Sequence, residues 1–283
     1  DVSSPTEVKV DPDLVEIGTV PDNSGFVNDP VCTATGHLVV DTNDFAMPDR
    51  LEVLSFRRTY ASIDLVEGAF GPGWWTWTEC RAEVTDDGAF RYFGPDALRF
   101  DAPPDGYGGY ITEPSLDVRV TQAAPTTFVV EWGRASRYPS QTWTFVDGAL
   151  TTIAGPFVGT TTFEWKRSRL RALCHDSGRE LTLTWRGDRV TAVASSDGRR
   201  ATFTYDAAGK LTGVDNAVQP ETYRLDADGR ILEITDGDGI RAVTMTYDAD
   251  GRVIEQILPA GFVTRFSYDG PGRTTLSDGD DTP

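Results

Sequence analysis

The sequence predicts an all-β protein, an antiparallel meander of β-hairpin repeats that coils as a ribbon. Three observations carry this. An aromatic phrase recurs every 20–22 residues through the second half, apolar residues alternate strictly within each phrase, and no ten-residue stretch shows an amphipathic helical pattern. A β-propeller-like fold, with two beats forming one four-stranded blade, is the alternative. Blades would make alternate units differ systematically, and these units do not.

The chain reads as three parts. Residues 1–27 are a polar, extended lead-in with "DVSSPTEVKVDPD" and "VPDNSG". Residues 28–142 form a β-rich module. In it "GHLVVDTNDF" and "LEVLSFRRTY" are strands joined by a Pro-Asp turn, "GPGWW" is a buried corner, and "AEVTDDGAFRYFG" is a hairpin with an Asp-Gly turn. Residues 143–283 carry six to seven repeat units.

The beat is set by Phe145, Trp165, Trp185, Tyr205, Leu225, Tyr247 and Tyr268, at steps of 20, 20, 20, 20, 22 and 21 residues. Each unit opens with a strand such as "TFTY" or "LTLTW", in which Phe203 and Tyr205, or Leu183 and Trp185, share a face. The aromatic slots are expected to face a shared interior layer. A turn follows, "DAAGK", "DADGR" or "DGPGR", with Gly209, Gly229, Gly251 and Gly272 supplying positive φ. The second strand, such as "LTGV" or "VTAV", places its apolar residues at i and i+3. That breaks the two-residue parity of a strand and predicts a β-bulge or a strong local twist there.

A formal charge of −18 disfavours nucleic-acid binding, which needs a concentrated basic surface, and docking on anionic lipid. No run reaches the roughly 18 apolar residues of a membrane span. Cys32, Cys80 and Cys174 fit no zinc spacing. Three buried free thiols are expected, with a Cys32–Cys80 disulfide as the alternative.

Candidate chemistry is sparse. Cys174 and His175 are adjacent, but neighbours on a strand point to opposite faces, so they make no nucleophile–base pair. His37 sits in a turn or surface setting without a second ligand. "DADG" and "DGDG" echo the start of an EF-hand loop yet lack its later acid and its bidentate Glu, so these turns are read as hairpin turns without calcium. No phosphate-binding loop, nucleophile elbow or dinucleotide fingerprint occurs. Trp74, Trp75, Trp77, Trp143, Trp165 and Trp185 are read as core, with a sugar-binding platform as the alternative. No catalytic residue, metal site or cofactor is assigned.

"YDAAGKL", "LDADGRI" and "YDADGRV" resemble the YD repeat. "DPVCTATGHLVVDTNDF", "LEVLSFRRTYAS" and "GAFGPGWW" resemble the module that precedes such repeats in Rhs proteins. Together the matches cover residues 29–80 and about 143–275, in the family's order. The resemblance implies the secreted polymorphic toxins of bacteria, with insecticidal toxin complexes and teneurins as relatives. In these, YD repeats wind into a hollow β-shell around a C-terminal toxin or other cargo. Cys32 and Leu225 depart from the pattern, and the shell-terminating segment and any toxin are absent.

The expectation is a non-catalytic opening stretch of such a shell, secreted or on the cell surface. Its partners would be the remaining repeats and the cargo, and an unpaired C-terminal edge would favour self-association. An extracellular adhesion or carbohydrate-binding module is the alternative, and a hydrolase the least supported.

Overall fold

Thr, Phe, Tyr, Trp and Val at a period of two fit a pleated, half-buried surface. A computed structural model of the chain describes residues 6–9, 26–27, 31–48, 52–133, 141–156, 158–216, 220–270 and 273–278. Apart from two short 3₁₀ turns at Pro114–Leu116 and Pro259–Gly261, its regular structure there is entirely β. The chain divides into two compact units, one of residues 1–41, 59–74 and 201–283, the other of 42–58 and 75–200.

In the second of these units, Val118–Ala124, Thr127–Trp132, Gln141–Val146 and Ala149–Gly155 pair in sequence order. Gly159–Lys166, Arg169–His175, Glu180–Arg186 and Arg189–Ser195 continue the same antiparallel meander. The "AEVTDDGAFRYF" hairpin forms as expected, with Arg81–Val84 against Phe90–Phe93. The first unit repeats the plan from Arg200–Tyr205 and Leu211–Asp215 to Val263–Gly270 and Arg273–Asp278. Within each unit the repeat strands pair with their successors without a break every four strands, which is a meander and not a set of propeller blades.

The predicted bulges are present. Trp165 pairs with Leu170 while Glu164 pairs with Ala172, leaving Arg171 as the extra residue. The same register shift leaves Thr151, Thr191, Thr212, Leu232 and Ile254 unmatched. Beyond each bulge parity is reset. Leu211 and Val214, three apart, are therefore both buried.

The bulge interrupts the ladder, and the ring of the next unit reaches the carbonyl there. Trp165 Nε1 donates to Leu150 O at 2.7 Å, and Trp185 Nε1 to Leu170 O at 2.8 Å. Tyr247 Oη donates to Ile231 O at 2.8 Å, and Tyr268 Oη to Val253 O at 2.5 Å. Phe145 is fully buried, whereas Trp165, Trp185, Tyr205, Leu225, Tyr247 and Tyr268 are half-buried. The deep layer belongs instead to the residue two places earlier, as Phe163, Leu183, Phe203, Tyr223, Met245 and Phe266 show. A ring carrying a donor sits one step outward, where an unpaired carbonyl awaits it.

The turns come in two lengths. After Tyr205, Leu225 and Tyr247 the strand ends in a three-residue loop, as where Asp206 N donates to Lys210 O and Gly209 N to Asp206 O. After Trp165 a two-residue turn replaces it, with Arg167 and Ser168 at φ 53° and 60°. Gly272 lies outside the described residues, as does the turn between Pro48 and Glu52.

One expectation is corrected. The outer side of Arg273–Asp278 is not an unpaired edge, because Thr6–Lys9 pairs with it, Thr6 opposite Leu276 and Lys9 opposite Arg273. An exposed ladder of N–H and C=O groups takes any strand within reach, and the lead-in supplies one. The thiols are free. Cys32 and Cys80 are buried, but Cys174 is half-buried and not interior as expected.

Two substitution sets test the layering by denaturant unfolding. Phe203→Ala is expected to cost about 3–5 kcal/mol, and Thr204→Ala, on the exposed face, under about 1 kcal/mol. Tyr247→Phe keeps the ring but strips Ile231 O of its donor, for an expected loss of about 1–2 kcal/mol.

Candidate functional site

The repeated phrase is best understood atom by atom. Asp226 Oδ1 accepts the N–H groups of Gly229 and Arg230, both at 2.8 Å. Asp206, Asp236 and Asp248 accept from residues two and four further on, at 2.9–3.1 Å. An aspartate at the turn's start thus ties both sides of the loop. The basic residue closes it: Arg252 Nε reaches Asp248 Oδ2 at 2.8 Å, and Arg230 reaches Asp228 at 2.7 Å. Burial works against the Asp248 carboxylate, yet the Arg252 N–H and guanidinium outweigh it and hold its pKa below the usual carboxylate range. Lys210 Nζ bonds onward to Asp226 O and Ala227 O of the next turn, at 2.8 and 2.5 Å.

Within the same unit, residues 31–37 and 60–74 lie across three successive YD turns. Gly71 meets the first: a Cβ there would stand 2.9 Å from Gly209 O. Pro72 and Tyr60 meet the second. Tyr60 Oη donates to Gly229 O at 3.1 Å and accepts from Ile231 N at 3.2 Å, and burial pushes its pKa well up. Gly36 meets the third, its carbonyl accepting from Val253 N at 2.7 Å. Phe70 stands edge-on to Phe203, and Trp74 lies between Tyr60 and Tyr223. "GAFGPGW" is therefore a strap over the repeat turns, glycine-rich where backbone meets backbone.

The other unit holds an aromatic cluster. Trp77 contacts Trp143 and Phe163, while Tyr92 contacts Phe100, Trp132 and Phe145. Beside Trp77 opens a cavity of about 200 Å³ lined by Leu54, Ile153, Thr161, Phe163 and Leu173 among others. Asp44 and Arg58, both fully buried, form a bidentate pair at 2.5 and 2.9 Å. Such a pair holds only while both partners remain, because a lone buried charge is costly.

Of the groups with latent chemistry, His175 is engaged in the fold. His175 Nε2 lies 2.7 Å from Val158 O, and its Nδ1 takes the Ser177 N–H at 3.1 Å, so both ring nitrogens serve a turn. Burial raises the Cys174 thiol. His37 is half-buried with Nδ1 lacking a hydrogen-bond partner, and burial lowers its pKa to about 4. Among the described residues no group of three or more His, Cys, Asp or Glu could hold a metal. Trp74 and Trp75 are buried, and Trp77, Trp143, Trp165 and Trp185 are half-buried. Sequence reasoning missed Tyr60, Asp44 and Arg58, since "FRRTY" reads only as an alternating strand.

Glycine substitutions separate strain from contact. Gly239→Ala, at φ 76° with open space around it, is expected to cost about 1 kcal/mol. Gly229→Ala, at φ 102° and 2.6 Å from Pro72 Cγ, is expected to cost about 3 kcal/mol in the same unfolding assay. His37 gives a pH signature. Its folded pKa of about 4 lies below the ordinary 6.5, so the unfolded chain takes the proton first. Its contribution is whole above the ordinary value and is lost as pH falls through that window. His37→Gln is expected to flatten the slope of unfolding free energy there.

Comparison with known proteins gives matches to both parts of the chain. Residues 28–100 match a family described as a domain of unknown function, DUF6531, and residues 186–219 and 247–283 match the RHS Repeat. A tRNA3(Ser)-specific nuclease WapA of Bacillus spizizenii is 37% identical over 75 residues, covering 26% of this chain and 3% of that protein. A tRNA nuclease WapA of Bacillus subtilis strain 168 matches to the same extent. A crystal structure of TcdB2-TccC3-Cdc42 aligns with 87% of this chain and 14% of its own, at 11% identity and a TM-score of 0.38. The chain thus spans a small part of the proteins it matches. The RHS Repeat match falls on the YD phrases, so the chain carries repeats of the Rhs/YD kind.

Proposed function

We propose that this chain is a structural wall segment of an Rhs-type shell that encloses a C-terminal toxin or other cargo, with no catalysis of its own. One observation carries the reading. The YD phrase is engaged in building hairpins: its ring joins one hairpin to the one before it, and its aspartate and basic residue close the turn, as Tyr247, Asp248 and Arg252 illustrate. A phrase repeated to build a surface serves extent, not a single reactive centre.

In this reading residues 28–142 are the module that starts the wall and 143–283 its first repeats. The protein carrying it is secreted or displayed on the cell surface, and its partners are further repeats and the cargo. The nuclease activity named for the WapA proteins would then belong to a part of those chains outside the 75 matched residues.

A glycan-binding role is the second reading, and Tyr107 favours it. Its side chain is 96% exposed, on a loop tied by Asp105 Oδ1 to the N–H groups of Tyr107 and Gly109. An exposed ring on a hydrogen-bonded loop is a stacking surface.

Limited proteolysis of a longer chain carrying this segment and its cargo tests the first reading. The cargo is expected to survive protease that digests it when produced alone. Equal digestion would overturn enclosure, and glycan-array binding lost in Tyr107→Ala would favour the second reading.

A further inference from the structure

The strand Arg273–Asp278 has two edges, and both are taken. Its inner edge pairs with Val263–Gly270 through six rungs. Its outer edge pairs with Thr6–Lys9 through four. The strand itself is firmly placed: Thr274 Oγ1 donates to Thr33 O at 2.7 Å, and Leu276 is buried opposite Phe266.

Every earlier strand of the meander gives its outer edge to its successor. An aromatic strand following Asp278 would need this same outer edge, since the inner one is filled. One edge accepts one strand. The lead-in and a following repeat therefore exclude each other.

We propose that the outer edge of Arg273–Asp278 is a strand-accepting site, recognised through its backbone, which Thr6–Lys9 seals until the aromatic strand of a following repeat displaces it. The occupant is an extended β-strand of the repeat's own kind. Recognition of this sort draws affinity from main-chain hydrogen bonds. Rung number does not separate the two, since Thr6–Lys9 makes four and an aromatic strand makes two to four on the outer edge of the strand before it; the aromatic strand adds a ring bond of the kind that Tyr268 Oη makes to Val253 O. The seal also blunts an edge that would otherwise pair copies of the chain with each other. This rests on strand pairing and stands apart from the cargo-holding reading.

The test uses the full chain and a fluorescent peptide of residues 1–12. Proline at adjacent positions removes the N–H donors from either phase of the seal, so the double variant Glu7→Pro/Val8→Pro opens the edge. Fluorescence anisotropy is expected to show the peptide binding the opened variant at least tenfold more tightly than the native chain. An unlabelled peptide of Arg241–Tyr247, an aromatic strand of the repeat, is expected to compete it off. Deleting residues 1–9 is a second route to the open edge should the proline variant fold poorly. Equal binding to native and opened chains, or no binding to either opened form, would overturn the site. Peptide binding without competition by the repeat strand would overturn displacement by a following repeat.

Discussion

A carbonyl beside each of several β-bulges takes its donor from the next hairpin, and much of this fold follows from that bond. The donor is the indole N–H or phenol O–H of the next hairpin, as between Trp185 and Leu170 or Tyr268 and Val253. A buried carbonyl without a donor costs more than the bond itself contributes, so a hairpin followed by a Trp or Tyr slot is completed by its successor. The aromatic slot is therefore occupied by Trp or Tyr from Trp165 onward, except at Leu225. Phe145, which opens the beat, has no such donor and is wholly buried.

The same constraint explains the strap over the turns. Bulge and turn together free backbone groups at one rim of the first unit, and residues 31–37 and 60–74 satisfy several of them. Gly36 O takes Val253 N, and Tyr60 Oη takes Ile231 N. Close approach then dictates composition, because a side chain at Gly71 or Gly229 would collide with Gly209 O or Pro72. The family-model matches fall on the repeats and on the preceding module. The strap is where, within one unit, the two kinds of sequence meet.

Function is more distant from these contacts than fold is. The turn aspartates, His175 and the strap tyrosine are engaged in hairpin closure and docking, so the phrase's conspicuous polar residues describe assembly. The recognition proposed for this chain rests instead on the outer edge of Arg273–Asp278 and on the exposed ring of Tyr107.

The sequence by itself determined the β class, the beat, the turn chemistry and even the bulge. All are local: parity, period and Asp-Gly placement act over a few residues, and Leu211 with Val214 announced the extra residue between them. The resemblance to the YD phrase was legible for the same reason. Only the tertiary structure decided that the slots lie a step outside the core, that Tyr60 bonds with Gly229 and Ile231, that Asp44 faces Arg58, and that Thr6–Lys9 closes the last strand. Those partners are separated by 14 to 171 residues for the side-chain bonds, and by nearly the whole chain for the closing strand. A pattern of alternation shows which face a residue takes, but a partner that far away is chosen by the path of the folded backbone, which no local pattern encodes.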